Sequence, residues 1–96
     1  MMIRTTDLLA LAQAALKFAQ AAREVTQHKE QLTEAYYEWR SANGKWGIHI
    51  ARDDENWNAM MVATDGEYRE LQNAKGRKRR AEKKLLALAG EAEAVE

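Results

Sequence analysis

Cysteine and proline are both missing from the 96 residues, serine occurs once at Ser41, and only two histidines, His28 and His49, are present. Without cysteine there can be no disulfide framework and no thiolate metal site. Without proline nothing rigidly stops a helix. With one serine, two histidines and no glycine-rich phosphate loop, the chain has little from which to build a nucleophile, a base and an oxyanion donor in one pocket. A non-enzyme with no catalytic residues, no cofactor and no metal is the expectation. His28, His49, Asp53, Asp54 and Glu55 do not change it, because no histidine pair has helical ligand spacing.

No apolar run approaches the ~18 residues that a bilayer span requires. Residues 1–22 imitate a secretory signal, with Arg4, an apolar stretch from Leu8 to Ala12 and a small-residue Ala19-Gln20-Ala21. Asp7 and Lys17 place charges where a signal has none, so an ordinary helix is the better reading. A cytoplasmic protein follows as the expectation.

What is present is charge and helical periodicity. Fifteen Lys+Arg balance fifteen Asp+Glu, and 46% of the chain is hydrophobic, which excludes a disordered polyampholyte. From Leu8, apolar residues recur at alternating spacings of three and four: Leu8, Leu11, Ala15, Phe18, Ala22, Val25, Leu32, Tyr36 and Trp39, with Lys29 as an exception in the seam. Thr5 or Thr6 can cap this helix, and Asn43-Gly44 ends it, predicting a helix over about 7–41. A loop over about 42–52 carries Gly44, Trp46 and Gly47, then Ile48-His49-Ile50 with a brief strand-like alternation. Asp53 or Asp54 caps a second series, Trp57, Met60, Met61, Thr64, Tyr68, Leu71, Ala74, Lys78, Ala81, Leu85 and Leu88, predicting one helix over about 53–89 and a fraying acidic tail at 90–96. The alternative is a break at Gly66, which makes a three-helix bundle.

The fold class is therefore all-α, a single domain built as a long antiparallel hairpin. Leu9 and Leu16 fall outside the seam of a helix that is apolar nearly all round, which points to a homodimer forming a four-helix bundle with these two leucines in its interface.

Two clusters stand out as binding candidates. Lys75, Arg77, Lys78, Arg79, Arg80, Lys83 and Lys84 put seven cations and one anion, Glu82, inside ten residues. A hairpin pairing Leu8 with Leu88 sets this run against residues 12–21, which hold no acid, so a DNA or RNA backbone or an acidic protein surface is a candidate ligand. At the other end, six of the seven aromatics gather around one turn, with Arg40, Lys45, His49 and Arg52 beside them. Tyr36, Trp39 and Trp57 fit a plug for the bundle end, whereas Tyr37 and Trp46 lie off the seam. With Arg40 and Arg52 they form the expected partner-binding surface, since Trp, Tyr and Arg dominate interface energetics. Glu30, Glu34 and Glu38 add an acidic row at helical spacing.

The functional expectation is a small self-associating protein that binds another protein as inhibitor, adaptor or accessory factor, of a size that suits a phage or mobile element. A nucleic-acid-binding protein using residues 75–84 is the alternative, followed by a structural coiled-coil subunit.

Overall fold

A computed structural model describes the backbone of residues 5–94 and the side chains of residues 7–92. Three helices follow in order, α1 (Thr5–Ala42), α2 (Glu55–Ala63) and α3 (Asp65–Ala94), and no strand occurs among the described residues. The chain is an all-α helical hairpin in which α1 packs against the returning α3. Its residues group into two compact units, Met1–Val25 with Ala74–Glu96 (unit 1) and Thr26–Asn73 (unit 2).

Thr5 and Thr6 lie within α1 instead of capping it. Its end is built as the sequence requires. Gly44 takes a left-handed φ of 65°, the Lys45 N–H donates to the Arg40 carbonyl at 2.7 Å and the Gly44 N–H to that of Ser41 at 3.3 Å. This 6→1 and 5→2 pair is a Schellman cap, which satisfies carbonyls left open by the last turn and wants glycine at this position. Asp54 caps α2, its carboxylate accepting from the Trp57 N–H at 2.8 Å.

The single second helix expected over 53–89 is interrupted at Thr64, two residues before Gly66. Thr64 is buried with φ −106° and ψ 14°, and both its N–H (3.0 Å) and its hydroxyl (2.8 Å) donate to the Met60 carbonyl. Such back-bonding from threonine bends helices, and Asp65-Gly66 follows with weak helical preference. Helical bonding resumes at once, with the Tyr68 N–H donating to Thr64 at 3.1 Å. Gly66 sits inside the first turn of α3, and α3 runs on through the start of the acidic tail to Ala94.

The packed face of α1 differs from the expected seam by one of its two positions. In unit 1 the covered residues include Leu11, Ala14, Phe18, Ala21, Ala22 and Val25, and in unit 2 they include His28, Leu32, Ala35, Tyr36 and Trp39. Leu11, Phe18, Val25, Leu32 and Trp39 belong to both versions. The other position is held by Ala14, Ala21 and His28 where Leu8, Ala15 and Lys29 were expected, and these last three are exposed; Ala22 and Tyr36 are half-buried as expected, with Ala35 half-buried next to Tyr36. Lys29 gives the physical reason. A rigid helix turns all its positions together, and burying an unpaired ammonium costs several kcal/mol. On the return, Trp57, Met60, Thr64, Glu67 and Leu71 cover unit 2, with Glu67 where Tyr68 was expected and Tyr68 exposed; Ala74, Lys78, Ala81, Leu85 and Leu88 cover unit 1. Ala14, Ala21 and Ala74 are buried, so unit 1 closes on small side chains that allow close helix approach.

Candidate protein-interaction surfaces

Unit 2 carries an exposed aromatic notch. The Schellman cap is followed by a turn over Lys45–Ile48, closed by the Ile48 N–H to the Lys45 carbonyl at 3.3 Å, with Gly47 at φ 76° in the third position. A positive φ there is what a type II turn demands. Trp46 occupies the second position, and the turn delivers its indole edge-on to Tyr37 with ring centroids 5.3 Å apart and planes at 73°. Both rings remain largely in solvent, 52% exposed for Tyr37 and 63% for Trp46. Together with Glu38 and Ser41 they line an open cleft of about 330 Å³.

Two residues fix this turn from beneath. Arg40 donates from its guanidinium to the Ile48 carbonyl at 2.9 Å, and Ile50 is buried. Of the four expected partner-binding residues, Tyr37 and Trp46 meet in the notch. Arg40 is half-buried and ties the loop to α1 through this bond. Arg52 is exposed further along the linker and does not line the cleft. Ile50 was not singled out by sequence; the strand-like alternation of Ile48-His49-Ile50 held the signal, with its second isoleucine turned inward. Tyr36, next to Tyr37 in the chain, is half-buried and its phenol is pushed up from the ordinary value, by burial first and by neighbouring Tyr68 second.

Comparison with known proteins adds no family to this description: no protein-family model matches the chain, and neither the curated proteins nor the solved structures yield a match.

Unit 1 carries the other two candidate surfaces. Leu9 and Leu16 are 59% and 70% exposed, and with Leu8, Ala12, Ala15 and Ala19 they form a second apolar stripe on α1, while Leu86 is 62% exposed on α3. The end of the basic segment lies against the stretch of α1 expected for it, and its start reaches further along the helix. Arg77 Nε stands 3.6 Å from Glu24 Oε2, and Lys84 shares a cleft of about 140 Å³ with Lys17 and Ala14. Lys84 thus faces residues of about 10–17, as the Leu8–Leu88 pairing requires, while the long Arg77 side chain reaches past residue 21 to Glu24, which supplies one answering acid. Lys75, Lys78, Arg79, Arg80, Lys83 and Lys84 form no ion pair among the described residues. Lys75 and Lys78 are half-buried; the other four are exposed.

No helix among the described residues is long and apolar enough to cross a membrane.

Proposed function

We propose that this chain is a helical interaction protein that self-associates and works through protein–protein contact, as an inhibitor, adaptor or accessory factor, and not as an enzyme. The observation that carries the reading is the second apolar stripe of unit 1. Each exposed leucine there forgoes about 1.5–3 kcal/mol that burial would supply. Pairing of two hairpins into a four-helix bundle, with Leu9 and Leu16 in the contact, covers such a stripe. The aromatic notch of unit 2 is the surface offered to a protein partner, since rigid exposed Trp and Tyr gain large contact area at low entropy cost.

Light scattering tests the first part. The expected mass is twice the 10.9 kDa of the chain, and Leu16→Glu returns it to the monomer value. A parent protein that is monomeric at micromolar concentration overturns the reading.

A second reading rests on the pairing of Lys17 with Lys84 in one cleft. Two cations side by side with no carboxylate in the lining favour an external anion, and the phosphate backbone of a nucleic acid supplies one. Retention of duplex or single-stranded DNA at low salt, lost when Arg79, Arg80, Lys83 and Lys84 become Gln, supports it. No retention by the parent rejects it.

A further inference from the structure

The two units carry opposite charge. Unit 1 has ten cations and six carboxylates, and unit 2 has five and nine, so a neutral chain is divided into parts of +4 and −4. We infer that the Tyr37–Trp46 notch, with the acidic face of α1 beside it, receives the basic segment 75–84 of a second copy of this chain, so that unit 1 of one molecule docks on unit 2 of another. The inference rests on the self-association proposed above and specifies which surfaces meet.

Three observations converge on it. The lining of the notch suits a cation: it brings together the aromatic side chains of Tyr37 and Trp46 with Glu38 and Ser41, and no cationic residue lines it. A guanidinium or ammonium is attracted by the electron-rich ring faces and by the carboxylate together. On the helix leading to it, Glu30, Glu34 and Glu38 are exposed at successive turns and form no ion pair among the described residues, so the row repels itself until a cation arrives. Arg79, Arg80 and Lys83 are the complementary ligand, exposed and without an ion pair among the described residues, whereas Arg77 already faces Glu24.

Charge also decides the orientation. Laying unit 1 on unit 1 to cover Leu9 and Leu16 would bring two parts of +4 together. Laying it on unit 2 sets +4 against −4 and offers the leucines exposed apolar side chains there, Ile48 (52% exposed) and Val62 (78%) among them.

Reciprocal charge reversal in sedimentation experiments tests the inference. One variant carries Glu34→Arg and Glu38→Arg, the other Arg79→Glu and Arg80→Glu; all four sites are exposed, and helicity by circular dichroism verifies folding. Each variant alone is expected to self-associate at least about tenfold more weakly than the parent, and an equimolar mixture to recover the parent affinity, because every contact in the mixed dimer is again between opposite charges. Trp46→Ala weakens the parent dimer by about tenfold, and added salt raises its Kd; these two measurements decide the matter should a reversed variant fail to fold. A parent that is monomeric overturns the self-association itself. A parent dimer that Leu16→Glu disrupts but charge reversal, salt and Trp46→Ala leave unchanged overturns only the present inference, and leaves the notch to a basic segment of a different protein.

Discussion

The Arg40 guanidinium and the Ile48 carbonyl, 2.9 Å apart, tie the last turn of α1 to the linker and hold in place the turn that presents Trp46 to Tyr37. Arg40→Met keeps most of the aliphatic stem and removes the donor. The net loss for one such exposed bond is about 1 kcal/mol, which corresponds to about fivefold faster exchange of the Ile48 amide with the middle of α1 unaffected. Unaltered exchange at Ile48 would mean that Ile50 alone anchors the linker.

Helix class and the C-terminal end of α1 were legible because they depend on local chemistry. Asn43-Gly44 reads as a stop in sequence and is one in structure, through a left-handed glycine that no other residue adopts as cheaply. The packed face was harder. Leu8, Ala15, Ala22, Lys29, Tyr36 and Ala14, Ala21, His28, Ala35 both complete a three-four repeat with Leu11, Phe18, Val25, Leu32 and Trp39. Side-chain size favours the first set, while avoidance of Lys29 and the fit of alanine against Ala74 and Ala81 favour the second. The lysine treated as an exception was the evidence for the other face. Tyr37 and Trp46 were identifiable as off the seam; their edge-on contact was not, since it depends on the φ of Gly47 and on Arg40 reaching across eight residues.

The same argument predicts how the seam responds to substitution. Ala74 has no exposed surface, so Ala74→Leu must force the helices of unit 1 apart, at a cost of about 1–3 kcal/mol. Lys29→Gln, on an exposed position, should change stability by less than about 0.5 kcal/mol. Urea unfolding of both variants checks the pair; a large gain from removing Lys29 would return that residue to the packed face.

Glycines divide into two groups with opposite expected signs. A Cβ at Gly66 meets nothing within 4 Å, and one at Gly76 meets only the mobile guanidinium end of Arg80 at 3.3 Å; both lie in α3 without a positive φ. Alanine at either should stabilise the protein, by up to about 1 kcal/mol, or roughly 4–8 °C in Tm for a chain of this size. Gly44 and Gly47 have φ of 65° and 76°, where alanine is strained. Gly44→Ala and Gly47→Ala should each destabilise by about 1–2 kcal/mol, and the second should also disperse the Tyr37–Trp46 contact.

Alkaline titration should report on Tyr36. Its phenol is pushed above the ordinary 10.0 by burial and by the nearby Tyr68, which means that the folded chain disfavours the phenolate relative to the unfolded one. As pH rises through 10 the unfolded state releases this proton first, so the folded state binds more protons and stability falls with further increase in pH. Below that range both states carry the protonated phenol and Tyr36 contributes no pH dependence. Tyr36→Phe removes the ionisable group, so the variant should lose less stability than the parent between neutral pH and pH values above 10. The check is a pair of urea unfolding series across that interval, with the parent and Tyr36→Phe compared at each pH. Equal pH slopes for the two proteins would show that the Tyr36 phenol is no harder to ionise in the folded chain than in the unfolded one.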